Sequence, residues 1–290
     1  MQDEIVSRLA NSLWTQLIAA EARRSEHVLN PTSMDLFIRG WALLHYKTKP
    51  AALLKALECF DRALVLDPNN VDALVGKAHA HDILGGAIMA DDSAPHRAAA
   101  EAASTDALSR NPQHAVAHMT LGATYIHTGR AVQGIAECER ALALNRNLAS
   151  AQAYIGLAKI FLGRDAETEA HVNEALRLSP NDTGAFFWIT WVGFSKLRLD
   201  QFADAAAWFR RAIENNRNYA WPHFGLAAAL VLLDDLEAAR VAMQQALALD
   251  PNINVSRLRA KLAPVPPNST LSAKRERFLN SLLRAGMPEG

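Results

Sequence analysis

Histidines, cysteines and paired acids are the residues of this chain that could do chemistry. His114 and His118 stand four residues apart in "HAVAH", a spacing that places both rings on one face of a helix. His79 and His81 precede them. A structural metal site needs three or four converging ligands, so this spacing alone predicts no metal site. His114 falls at a helix start and His118 at a packing position, and the pair Asp91–Asp92 is typical of a solvated loop.

No pattern in the chain indicates catalysis. The two cysteines, Cys59 and Cys138, are far apart and form no paired motif. The phosphate-cradling loop, the serine nucleophile elbow and the HExxH zinc motif are all missing. We therefore expect no enzymatic activity, no catalytic residue, no metal and no cofactor.

Charge and hydropathy limit the classes of partner. The 290 residues include 30 basic and 30 acidic side chains, so no net charge favours nucleic acid or an anionic membrane. The basic residues occur in separate clusters mixed with acids. The longest apolar run, 224–233, is too short to span a bilayer, and the first residues lack a signal peptide's pattern. These features predict a soluble, cytoplasmic protein.

One six-residue phrase recurs along the chain and indicates the elements that position these side chains. The copies are "ALVLDP" at 63–68, "ALSRNP" at 107–112, "ALALNR" at 141–146, "ALRLSP" at 175–180, "AIENNR" at 212–217 and "ALALDP" at 246–251. Three of the five spacings are 34 residues. A single helix pair cannot bury its apolar face alone, so such periods are typical of stacked helix pairs.

The repeat resembles the tetratricopeptide repeat (TPR), a pair of antiparallel helices. "LGATY" at 121–125 fits the L-G-x2-Y part of the first helix. Ala56 with Phe60, and Ala205 with Phe209, fit the A-x3-F part of the second. The resemblance implies an all-α, right-handed superhelix of about six helix-turn-helix repeats with flanking N- and C-terminal helices.

The predicted domain organisation has three segments. Residues 1–32 contain an amphipathic helix, residues 33–254 hold six repeats, and residues 255–290 form C-terminal capping helices and a tail. In the last segment, "APVPPNST" breaks the pattern and a final helix follows over 271–285, with Gly286 as its stop.

A narrower resemblance runs through nearly the whole chain. "QDEIVSRLANSL", "GIAECERALALNRNLA" and the ending "LLRAGMPEG" are similar to the C-terminal TPR portion of rhizobial proteins that join such repeats to an adenylate/guanylate cyclase or a winged-helix regulator domain. This resemblance implies a bacterial regulatory module. It also implies an alternative, in which the chain is a C-terminal fragment of such a cyclase or transcriptional regulator whose effector domain is missing.

The TPR resemblance further implies a partner-binding groove lined by the first helix of each repeat. The apolar side chains expected there are Val75, Val116, Met119, Leu157, Phe187, Trp191, Trp221 and Phe224. The positions that capture a terminal carboxylate in chaperone-binding relatives do not match. We therefore predict a non-enzymatic scaffold that binds an apolar peptide or helix, with a protein or peptide partner and neither nucleic acid nor membrane.

Three hypotheses describe the aromatic part of this groove. It binds an external apolar segment, or it is filled by the chain's own helix at 271–285, or Trp191 and Trp221 pack between repeats. The residues alone leave all three open.

Overall fold

Helices account for all the regular structure in the computed structural model, which describes residues 18, 20, 21, 24, 30–46, 50–86, 93–262 and 270–290. Fourteen α-helices and no strand occur in these ranges. The helices are α1 (Ser33–Tyr46), α2 (Pro50–Leu66), α3 (Val71–Gly85), α4 (Ala94–Arg110), α5 (Ala115–His127), α6 (Ala131–Leu144), α7 (Ala149–Phe161), α8 (Thr168–Leu178), α9 (Ala185–Arg198), α10 (Phe202–Asn215), α11 (Ala220–Leu232), α12 (Leu236–Leu249), α13 (Val255–Lys261) and α14 (Thr270–Arg284). One 3₁₀ turn covers Asp165–Glu167.

The first twelve helices follow one another as six helix pairs and confirm the all-α fold of about six repeats. Packing is strong within α1–α2, α3–α4, α5–α6, α9–α10 and α11–α12. The helix α8 contacts α7 through a hydrogen bond between His171 and Gln152. Two compact units result: Met1–Leu162 with Ala170–Thr183, and Gly163–Glu169 with Gly184–Gly290.

The recurring phrase is where the second helix of each pair ends. In four copies the Asp or Asn after the last helical residue accepts a hydrogen bond from the backbone N–H two residues on. These residues are Asp67, Asn111, Asn145 and Asn216. A short acidic or amide side chain stabilises such a turn by accepting a hydrogen bond from the nearby backbone, which explains why Asp or Asn is the fifth residue of these copies.

A phenylalanine packs between two glycines at both ends of the array. A Cβ atom added at Gly40 or Gly76 would lie within 2.6 Å of the Phe60 ring. The Phe209 ring is placed in the same way between Gly193 and Gly225. Both rings are fully buried. The A-x3-F pattern therefore works because the neighbouring helices have no side chain where the ring lies.

In the third repeat a smaller residue, Cys138, occupies the buried position that phenylalanine holds in the first and fifth repeats. Cys138 is completely buried at the position of the phenylalanine, and burial raises the pKa of its thiol to about 12. With a small residue there, α5 and α6 approach closely: a Cβ atom at Gly122 would lie 2.8 Å from both the Cys138 Sγ and the Gly134 carbonyl oxygen. Cys138 is therefore a packing residue, because its thiolate is negligible at neutral pH.

Gly122→Ala is expected to lower the free energy of unfolding by about 1–3 kcal/mol, because the added methyl group overpacks a backbone contact. Gly163→Ala is the matched control. Gly163 has φ of +72° and nothing near its missing Cβ, so only backbone strain of roughly 1 kcal/mol results. Urea unfolding of both variants measures the difference. Because Asn tolerates positive φ, Gly163→Asn should be more stable than Gly163→Ala and recover most of the lost free energy of unfolding, whereas Gly122→Asn should recover none. Equal changes in the free energy of unfolding at the two positions would contradict the packing argument.

The segments outside the repeats differ in what the structure describes. The predicted N-terminal amphipathic helix lies almost wholly outside the described residues. The predicted final helix is confirmed as α14, and Gly286 follows it with φ of +104°. An additional short helix, α13, precedes it. None of the described helices is long and apolar enough to cross a membrane.

Candidate functional site

The histidines at the predicted chemical positions take part in separate structural contacts. The His114 ring caps the first turn of α5 by accepting from the Ala117 N–H, and its other nitrogen lies 3.0 Å from Asp72. The two nitrogens of His118 lie 2.6 Å from Glu137 and 3.0 Å from the Pro112 carbonyl oxygen. Within the described residues, no three His, Cys, Asp or Glu side chains come together as metal ligands.

His81 contacts a histidine that the sequence analysis did not single out. Its Nδ1 lies 2.9 Å from the Nδ1 of His96, close to the ion pair between Lys77 and Asp61. Burial, with the electrostatic effects of His96 and Lys77 adding to it, lowers the pKa of His81 to about 4. The ring is therefore held in its neutral form at neutral pH.

This low pKa predicts a loss of stability in mild acid. Between pH 6.5 and about 4 the unfolded chain binds a proton at His81 that the folded chain does not, so the free energy of unfolding falls as the pH falls through this range. Above pH 6.5 the contribution is complete. Between pH 7 and pH 4.5, the urea midpoint of unfolding should fall less for His81→Gln than for the natural chain. An equal fall in the midpoints of the two proteins would show that His81 has no such role.

The groove residues predicted in the first unit are mostly core residues. Val75, Met119 and Leu157 are buried, and Val116 is half-buried. Val75 and Val116 belong to one core cluster with Leu74, Ala107 and Ala117, between the second and third repeats. These side chains are already used for packing.

The groove residues predicted in the second unit divide into two groups. Trp221 and Phe224 are buried, with ring centroids 6.0 Å apart. Phe187 and Trp191 are half-buried. Phe187 lies in a different cluster, 4.2 Å from Phe186 and 4.9 Å from Tyr219. Trp221 and Phe224 are thus brought together.

Phe194, which the sequence analysis missed, connects the aromatic rings of this unit. Its ring centroid lies 5.0 Å from Phe209, 6.0 Å from Trp221 and 5.8 Å from Phe278 of α14. The available signal was periodicity, because Phe194 lies one helical turn beyond Trp191 on α9. Through Phe194 the aromatic cluster reaches the C-terminal helix.

The helix α14 packs its apolar face against the second unit. It contacts α11 and α13. Leu279 and Leu282 are completely buried, and the following Ala285 and Met287 are nearly so. The chain end is fixed as well, since the Val255 and Ser256 N–H groups donate to the Pro288 and Glu289 carbonyl oxygens at 2.9 Å. The surface beneath α14 is therefore covered by an amphipathic helix of the same chain.

Two basic side chains attach α14 at the end of α9. The Lys274 ammonium donates to the Arg198 carbonyl oxygen in the last turn of α9. The Arg277 guanidinium donates to Asp200 and lies 5.3 Å from the centre of the Phe202 ring. We call the residues that contact α14 here, together with Trp221 beneath Phe194, the α9–α11 surface. Its residues are Phe194, Arg198, Asp200, Phe202 and Trp221.

An ion pair joins Arg198 of this surface, which is half-buried, to the buried Asp165. Asp165 and Arg198 are 3.0 Å apart. Burial raises the pKa of Asp165 although Arg198 and Lys274 lower it, and burial lowers the pKa of Arg198. The charge of Lys274 thus reduces the cost of keeping Asp165 ionised.

Comparisons with known proteins agree with this architecture. Residues 95–149 and residues 196–262 each match a family model described as tetratricopeptide repeat. No curated protein matches the chain. These two segments fall in both compact units, so repeats of this type occur in each.

Solved structures resemble the chain in fold. A chain of the APC/C hetero-tetramer Cut9-Hcn1 matches with a TM-score of 0.66 and 16% identity, over 86% of this chain and 46% of that chain. Human IFIT1, as a dimer with m7Gppp-AAAA, matches with a TM-score of 0.66 and 16% identity, over 88% and 64%. A tetratricopeptide repeat protein from Parabacteroides merdae matches with a TM-score of 0.57 and 16% identity, over 97% and 98%. The chain thus spans about half of the first of these.

Helical repeats of this type generally mediate protein–protein interaction, which fits a scaffold. Six successive helix pairs, the glycine-flanked phenylalanines and the two matching segments all lead to one conclusion: the chain is an all-α repeat protein that carries tetratricopeptide repeats within residues 95–149 and 196–262.

Proposed function

We propose that this chain is a non-enzymatic scaffold that binds a helical segment of a partner protein on the α9–α11 surface. The observation that carries the proposal is the position of α14, a 15-residue helix held there by an apolar face and two cations. A surface that accommodates one amphipathic helix through a stripe of apolar side chains has the shape and chemistry to accommodate another.

The position of α14 supports a combination of the three hypotheses for the aromatic groove. The contact of Phe278 with Phe194 supports occupation by the chain's own helix. The burial of Trp221 supports a packing role for that side chain. In this proposal an external segment binds by replacing α14 in the second unit. The burial of Val75, Met119 and Leu157 supports this location over the first unit.

The absence of catalytic activity is part of this proposal. The balanced charge of the chain favours a protein partner over a nucleic acid. The alternative, a fragment of a cyclase or transcriptional regulator, is tested by incubating purified protein with ATP or GTP and Mg²⁺ or Mn²⁺. We expect no cyclic nucleotide, and robust turnover would contradict the scaffold.

Peptide binding by the full chain tests the scaffold directly. In the double variant Arg277→Ala, Phe278→Ala, here called the opened chain, α14 lacks its aromatic anchor and its contact with Asp200. A labelled peptide of residues 270–290 should bind the opened chain about tenfold more tightly than the natural chain, since a competing internal helix lowers apparent affinity. Asn280→Ala, at an exposed position of α14, is the control and should behave as the natural chain. No peptide binding by an opened chain with a native circular dichroism spectrum would exclude the proposed function.

A further inference from the structure

The α9–α11 surface has acceptor groups at one end and an aromatic floor beside them, and this arrangement defines the partner. We infer that the partner segment is a basic amphipathic helix that displaces α14 and presents two cations three residues apart, an aromatic residue directly after the second, and leucine-like residues one and four positions beyond that. The inference rests on the proposed function and adds the chemistry of the ligand.

The first cation position is the C-terminal end of α9. The last carbonyl groups of a helix lack intrahelical partners and carry a partial negative charge. The Lys274 ammonium donates to one of them, the Arg198 carbonyl oxygen, and also acts on the nearby Asp165. A neutral or acidic side chain here would leave the partial negative charge at the C-terminal end of α9 without a compensating cation.

The second cation position is the turn after α9. The Arg277 guanidinium is held between the Asp200 carboxylate and the Phe202 ring, so it meets a charge and an aromatic face together. Lys274, Arg277 and Phe278 are related as i, i+3 and i+4, and therefore lie on one face of the helix. The apolar continuation of that face is Leu279 and Leu282.

The other charges of α14 do not belong to this pattern. Arg275 donates to the Arg259 carbonyl oxygen, and Glu276 forms an ion pair with the Arg259 side chain at 3.0 Å. Both therefore contact α13, and Arg284 is exposed. Recognition thus depends on where two cations stand, and not on the total charge of the helix. An acidic helix is rejected because it would oppose Asp200 and the end of α9.

The turn of the next repeat offers a matched control. Asp234 has φ of +61°, as Asp200 has φ of +62°. Among the described residues, the Asp234 side chain has no ion pair with α14. Asp→Asn at either position removes one charge and keeps a residue that tolerates this backbone conformation. Only the change at Asp200 should alter recognition.

Three labelled peptides, titrated into the full-length opened chain, test the inference. The first has the sequence of residues 270–290, the second carries Lys274→Gln and Arg277→Gln, and the third carries Arg275→Gln and Arg284→Gln. The second and third peptides have equal net charge. We expect the second to bind at least about fivefold more weakly than the first and the third to bind equally well. Adding Asp200→Asn to the opened chain should weaken the first peptide about threefold and leave the second unchanged, whereas Asp234→Asn should change neither.

The outcomes separate this inference from the function on which it rests. Equal binding of all three peptides, or equal weakening of the second and third, overturns the basic pattern and leaves helix binding intact. No binding of any peptide to a folded opened chain overturns both. If the opened chain does not fold, hydrogen exchange of the natural chain provides the test instead. The first peptide in excess should accelerate exchange of the α14 amides, and the second should not. Equal effects of the two peptides overturn the inference.

Discussion

Phe209→Ala is expected to lower the free energy of unfolding by about 3–5 kcal/mol, the largest single effect among the substitutions considered. The Phe209 ring is fully buried between Gly193 and Gly225, and it contacts Phe194 at 5.0 Å. Its removal leaves a cavity that the glycines cannot fill, because neither has a side chain that can move into the space. Urea unfolding followed by far-UV circular dichroism measures the loss.

The neighbouring residue provides the control for this substitution. Trp208 is half-buried on the same helix, and the Arg211 guanidinium lies 4.9 Å from its ring. Trp208→Ala removes a larger side chain but little core contact, so we expect a loss of about 1 kcal/mol or less. A Trp208 effect as large as that of Phe209 would show that ring size, and not the glycine-lined position, determines stability in this unit.

Leu282→Ala is expected to weaken the attachment of α14 by about 2–5 kcal/mol, because Leu282 is completely buried in its apolar face. The effect should be local. Hydrogen exchange of the α14 amides should accelerate by at least about 30-fold, which corresponds to roughly 2 kcal/mol of easier opening. A hydrophobic dye should bind more strongly as the α9–α11 surface becomes exposed.

Asn280→Ala separates the release of α14 from a general change in its helix stability. Asn280 is exposed on the same helix, so alanine there should leave exchange and dye binding close to those of the natural chain. Exchange in α1 and α2 should remain unchanged in both variants. Acceleration throughout the chain by Leu282→Ala would mean that α14 supports the whole fold and is not a separable covering helix.

Period and residue type were sufficient to predict the repeat architecture. The Asp or Asn at the fifth position of the phrase marked the end of the second helix because those side chains stabilise the following turn, as Asp67 and Asn111 show. Ala56 with Phe60 marked the interlocking of neighbouring helices. Such features act over a few residues or over one repeat, so they are readable from the order of residues.

The location of the candidate site was less predictable. Counting positions along the first helices selected eight apolar residues, but the same pattern describes a side chain in a groove and a side chain in the core between repeats. Val75 and Met119 are buried in the core. Phe194, which contacts α14, lies one helical turn beyond the predicted Trp191 and was missed. Apolarity measures the tendency to be buried and does not say which neighbour buries the side chain.

The sequence by itself determined that this protein is a helical repeat array with a terminal amphipathic helix, because helix period, turn residues and small–large pairs are local properties. Only the tertiary structure decided that Lys274 meets the end of α9 and that Arg277 meets Asp200. These partners are 76 and 77 residues apart in the chain. An amphipathic helix can cover any apolar face of suitable width. The position at which it docks depends on which exposed carbonyl and carboxylate groups lie beside that face once the repeats have packed.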